Sequence, residues 1–160
     1  AYACDAKWWL HHRGLPGFPG WKIRLRNPDQ KTGVDMNAVD IPGIDTFESS
    51  GSEGFDSRPG FIRTGGNSGY QALHIAAHLD AETVVLAGFD MRIAAGKRHW
   101  FGEHPQPIRK PGAMENWIKR FGVLAAELKA RGIRVVNASP GSALTCFPSV
   151  DLARALETRR

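Results

Sequence analysis

The chain has 160 residues, 42% of them hydrophobic, enough apolar material for one domain with a real core. No stretch of about 18 apolar residues occurs, so no membrane-spanning helix and no membrane partner is expected. No basic, apolar leader opens the chain. The formal net charge of +5 favours an anionic partner. The basic residues are scattered, however, and no nucleic-acid-binding motif accompanies them, so a small phosphorylated ligand is expected ahead of DNA or RNA.

Residues 2–4 read as a short strand ending at Asp5, and residues 6–12 as one or two turns of helix carrying Trp8 and Trp9. Residues 14–20 hold two prolines and three glycines and form a loop. Residues 21–25 alternate apolar and basic side chains, the pattern of a half-exposed strand. The segment 26–60 is rich in Asp, Gly, Ser and Pro, with only a weak strand candidate at 38–41. So long an irregular segment suggests a functional loop. Cys4 and Cys146 are the only cysteines and lie far apart in sequence, which suits free, buried thiols in a reducing cytoplasm.

The most informative stretch runs from 64 to 105. Gly65, Gly66 and Gly69 permit a tight turn and a close approach of backbone to a ligand. Asn67 and Ser68 are favoured N-cap residues, so a helix is predicted to begin there, with N–H groups directed at an anion. The same glycines would also serve a loop capped for stability alone. The apolar run 84–87 suits a parallel strand covered on both faces. It delivers Gly88 and Asp90 to a carboxyl end, where open α/β sheets place their ligands. The loop beyond carries His99, Trp100, Glu103 and His104, bracketed by Arg92, Lys97, Arg98, Arg109 and Lys110.

Met114, Trp117, Phe121, Leu124 and Leu128 recur at helical spacing, and Gly132 fits the stop of that helix. Residues 133–136 form another apolar strand, which runs into the polar loop containing Asn137 and Ser139. Residues 152–156 read as a short terminal helix. Alternating strands and helices predict a single three-layer, Rossmann-like α/β domain over 1–160 with a mainly parallel sheet. Such a sheet would gather Asp5, Asp90, Asn137 and Ser139 along one edge. Asp90 and His99 could then act as an acid/base pair, with His104 the alternative base. Trp100 could stack on a base or sugar ring. Each also has a plain structural reading, Asp90 as a turn cap and the histidines as surface residues. His99, Glu103 and His104 match no zinc spacing, His11 and His12 point to different helix faces, and no Asp-x-Asp is present, so no metal and no other cofactor is expected.

The motifs at 2–9 (Tyr-Ala-Cys-Asp-Ala-Lys-Trp-Trp), 64–73 (Thr-Gly-Gly-Asn-Ser-Gly-Tyr-Gln-Ala-Leu), 86–91 (Leu-Ala-Gly-Phe-Asp-Met), 99–105 (His-Trp-Phe-Gly-Glu-His-Pro) and 135–144 (Val-Val-Asn-Ala-Ser-Pro-Gly-Ser-Ala-Leu) together resemble a family of uncharacterised phage and prophage proteins. That family is distantly similar to MptE-like 6-hydroxymethylpterin diphosphokinases and to metal-independent bacterial sialyltransferases. The resemblance implies a nucleotide site using Asn67, Ser68, Gly69 and Asp90, with His99 or His104 as the base. Such families usually begin with a strand and a Gly-x-Gly-Pro-Ser phosphate loop, whereas this sequence opens on the Tyr-Ala-Cys-Asp strand. The expected function is therefore that of a glycosyltransferase-like transferase on a nucleotide or nucleotide-activated donor. The alternative is a module that binds or sequesters a nucleotide signal without turnover. Self-association into a homo-oligomer is compatible with either.

Overall fold

The computed structural model describes residues 1–26, 42–93 and 114–157. The elements run β1 (Tyr2–Ala3), α1 (Ala6–His11), β2 (Ile23–Arg26), β3 (Asp45–Ser49), β4 (Phe61–Ile62), α2 (Ser68–His78), β5 (Thr83–Leu86), α3 (Met114–Ala130), β6 (Arg134–Asn137) and α4 (Leu152–Glu157). Among the described residues every strand pairing is parallel, and the molecule is an α/β protein. Among the described residues the strands fall into two sheets, four strands in the order β1-β2-β3-β4 and the pair β5-β6, where alternation alone predicted one. No helix among the described residues is long and apolar enough to cross a membrane.

Helix α2 explains the division, because it is buried on more than one flank. Tyr70, Leu73 and Ala77 join one core with Leu86, Val135, Phe121, Leu124 and Leu128 from the β5-β6 pair and α3. Ile75 enters the other core, with Ile23, Leu25, Phe47 and Ile62 from the larger sheet. A helix apolar around most of its circumference needs cover on several sides, and one sheet face cannot supply it.

In β2 the alternation persists, but the face opposite Ile23 and Leu25 is not open. Arg24 is only 9% exposed and its Nε donates to Thr46 Oγ1 at 2.8 Å. Two residue pairs further on, Arg26 lies against Glu48 across the strands. These cross-strand polar pairs hold β3, whose Asp-Thr-Phe-Glu-Ser sequence carries a single large apolar residue. β3 lies inside the segment expected to be irregular, while the strand candidate at 38–41 falls outside the described residues. β5 is less covered than its apolar sequence suggested, with only Leu86 fully buried. Cys4 and Cys146 form no disulfide and are half-buried, and burial pushes the Cys146 thiol pKa up.

The buried face of α2 also carries His74, wholly inaccessible and ring-stacked with Phe55 at 4.3 Å and His78 at 5.2 Å. Its Nδ1 faces the Arg63 amide at 3.4 Å and its Nε2 the Asp56 backbone at 3.1 Å. With Nδ1 accepting, the ring's one proton sits on Nε2 and is donated to the Asp56 carbonyl, so the neutral imidazole fits. Burial, with the neighbouring His78 and Arg63 adding to it, lowers the His74 pKa from 6.5 to about 4. Below pH 6.5 the unfolded chain takes up a proton that the folded state refuses until about pH 4, so stability falls as pH drops through that window. The full shift corresponds to about 3 kcal/mol. Asp56, hydrogen-bonded by Arg58, has its carboxyl held well below the ordinary 3.8, so its contribution is lost only further into acid. Urea denaturation followed from pH 7 to pH 4 should show this decline, and His74→Phe should flatten it even if it lowers stability overall. An unchanged slope in that variant would assign the acid lability elsewhere.

Candidate functional site

The glycine turn before α2 is the meeting point of strand carboxyl ends. Thr64 N donates to Gly51 O at 2.8 Å and Gly65 N to Ser52 O at 3.1 Å, joining the turns that follow β4 and β3. From β1, Cys4 Sγ lies 3.2 Å from Ser68 Oγ. The β5 exit reaches the same place, since a Cβ on Gly69 would meet the Phe89 ring at 2.6 Å. The β6 exit is tied to it in turn, with Phe89 N donating to Ser139 Oγ at 2.7 Å and Ala143 N to Asp90 O at 2.8 Å. Asp5, Gly65, Gly66, Asn67, Ser68, Gly69, Gly88, Asp90, Asn137 and Ser139 therefore belong to one edge of the molecule. His99, Trp100 and His104 lie outside the described residues.

The turn needs its glycines for different reasons. Gly65 has φ +58 and its missing Cβ would lie 2.2 Å from Tyr70 Cγ, so both conformation and space exclude a side chain. At Gly66, φ +71, the neighbours of a Cβ would be Arg120 Nη1 at 3.0 Å and Trp117 Nε1 at 3.2 Å. Arg120 Nη1 also donates to Gly65 O at 3.1 Å. A guanidinium and an indole N–H from α3 thus flank the start of α2, and neither was read from the sequence as a site residue. Their i, i+3 spacing was legible, but nothing local says that this face of α3 reaches residues some fifty positions earlier.

The turn is braced from beneath. Gln71 is buried, and its Nε2 donates to Thr64 O at 2.7 Å while its Oε1 accepts the Tyr2 hydroxyl at 2.7 Å. Burial raises the Tyr2 phenol pKa above its ordinary value, so the hydroxyl stays protonated as the donor. Tyr70 OH donates to Gly54 O at 2.9 Å, its pKa pushed up to about 12 by burial.

Each predicted site residue has a definite setting. Asn67 caps α2, its Oδ1 accepting from Gly69 N at 2.8 Å and Tyr70 N at 3.2 Å, so two of the helix's leading N–H groups serve the cap. Asp5 precedes α1 without capping it through its side chain. Ser68, Gly66, Gly88 and Asp90 are exposed. Among the described residues the Asp90 carboxylate has no hydrogen-bond or ion-pair partner, so it is not a turn cap within them. Ser139 is buried beneath the edge, its oxygen engaged by Phe89 N. Asn137 is 1% exposed, with Oδ1 accepting Ser139 N at 3.0 Å and Nδ2 without a partner among the described residues. Arg92 packs on the β6 exit, 3.0 Å from the Cβ position of Gly141.

Comparison of the chain with protein-family profiles, curated proteins and solved structures gave no match.

The turn's geometry has a direct consequence. Gly65→Ala should cost about 2–5 kcal/mol by forcing a left-handed alanine against Tyr70. Gly66→Ala should cost less, because its neighbours are the ends of longer side chains. Urea midpoints of the two variants check this, and a Gly65→Ala protein as stable as the original would mean the turn tolerates a different path.

Proposed function

We propose that this chain binds a nucleotide or nucleotide-activated donor at the edge formed by Gly65–Gly69, Asp90 and the β6 exit, as a phage- or prophage-type, Rossmann-like transferase of glycosyltransferase character. One observation carries the reading: strand carboxyl ends from both sheets converge on the glycine turn opening α2, where Arg120 adds a fixed cation. The leading end of an 11-residue helix with a guanidinium beside it favours negative charge, and phosphate foremost. Exposed Ser68 supplies a further donor, and exposed Asp90 an acceptor for ribose or base N–H and O–H groups.

In the transfer, an acceptor hydroxyl attacks the sugar's anomeric carbon while the bond from that carbon to the phosphate oxygen breaks. His99 takes the hydroxyl proton, and the nucleoside phosphate leaves with its negative charge. Arg120 and the donors at the helix start stabilise that charge as it develops, the larger part of such catalysis where the donors are preorganised.

Incubation with nucleotide-sugar donors should release free nucleoside mono- or diphosphate, detected by chromatography. Ligand recovered unchanged, together with a ligand-induced rise in melting temperature, would instead establish the non-catalytic binder. Asp90→Asn should weaken binding about tenfold, the worth of one hydrogen bond to a charged group. It should leave the melting temperature unchanged, because the carboxylate holds nothing in the described fold. A large loss of stability with intact binding would make Asp90 structural.

A further inference from the structure

We propose that a second site lies at the opposite, amino-terminal edge of the strands and takes a small organic cation with an apolar body. A cleft of about 530 Å³ opens there, within the volume range of small-molecule sites. Its walls include Phe55, His78, Asp80, Glu82, Arg131 and Ile133. Pro59, Glu82 and Ile133 each come shortly before β4, β5 and β6 respectively, which sets this cleft apart from the edge carrying the glycine turn.

The charge of the cleft runs against that of the chain. Its titratable groups are His78, Asp80, Glu82 and Arg131, two carboxylates against one fixed cation. Both long helices end beside it, α2 at His78 and α3 at Ala130, and each carboxyl terminus carries roughly half a negative charge. His78 Nε2 donates to the Phe61 carbonyl at 2.9 Å, which fixes the ring at the cleft wall. The surplus is therefore negative in a protein whose formal charge is +5.

Arg131 shows which chemistry this environment holds. Its Nη1 donates to Glu127 O at 2.9 Å near the end of α3, and its Cζ sits 4.7 Å over the Phe55 ring. A guanidinium is thus already seated on an aromatic face at a helix carboxyl end, the arrangement that attracts cations. A ligand ammonium would take the remaining negative charge at Asp80 and Glu82, and its apolar part would lie against Phe55 and Ile133. This assignment is independent of the nucleotide reading, since it uses none of the same residues.

The test titrates the protein with phenethylamine and with its neutral counterpart 2-phenylethanol, followed by backbone amide shifts in NMR. The ammonium should shift the amides of residues 80–82 and 131–133 saturably, and bind about tenfold more tightly than the alcohol, as expected for two partly exposed charge contacts. The exposed pair Asp80→Asn and Glu82→Gln, combined in one chain, should remove that preference, while Asp90→Asn should not touch it. Should the double variant unfold, rising salt supplies the same reading, weakening the ammonium and sparing the alcohol. Equal binding of both probes, shifts without saturation, or a preference that survives the double substitution and high salt would reduce the cleft to a solvated groove.

Discussion

The fold depends on the burial of α2 on several of its sides at once. Tyr70, Leu73 and Ala77 face the core shared with α3 and the β5-β6 pair, and Ile75 faces the larger sheet. Gln71 and His74 are buried too, each with hydrogen-bond partners for both polar atoms of its side chain. Fully burying one leucine-sized side chain contributes about 1.5–3 kcal/mol. The two polar residues add specificity, because a shift of the helix would leave their buried groups unpaired. Removing α2 would expose both cores, so neither sheet is independent of it.

The same helix fixes the chemistry at its two ends. Its amino end meets strand exits, a cation from α3 and a turn that only glycine can make. Its carboxyl end meets the exit of α3 and the carboxylates of Asp80 and Glu82. The backbone dipole of α2 is positive at the glycine turn, where Arg120 adds to it, and negative at the cleft, where Asp80 and Glu82 do the same. Asn67 tempers the first pole, since its side chain already uses two N–H groups. On the proposed reading, what remains there for a ligand is Ser68, Arg120 and the exposed Asp90.

His74 illustrates how packing sets the properties of a residue whose type says little. A histidine between Leu73 and Ile75 carries no local signal of the role it takes. In the folded chain it is stacked on Phe55 and bonded to the backbone at Asp56 and Arg63, with its pKa lowered to about 4. Asp56, with its Arg58 and Arg63 partners, closes the same region from the loop side. The segment 50–60 is irregular in backbone yet tied at many points, through Tyr70 to Gly54, Phe55 to Glu127 and Arg63 to Ser50. Absence of periodicity there did not mean absence of structure.

The sequence by itself determined the helices α2 and α3, the apolar strands β5 and β6, and the Asn67-capped glycine turn. These follow from local rules: apolar spacing near 3.6, runs of β-branched residues, and the side-chain chemistry of a helix start. It also indicated that Asp5, Asp90, Asn137 and Ser139 would share an edge, because parallel strands all point one way. Only the tertiary structure decided that the strands divide between two sheets, that Asp45–Ser49 is a strand, and that Ser139 lies beneath the edge rather than on it. It alone brought Arg120 to Gly66, Cys4 to Ser68 and His78 to the cleft with Arg131. Those contacts join residues some fifty or more positions apart. No local pattern encodes them, because their free energy comes from burying α2 against elements that the chain supplies before and after it.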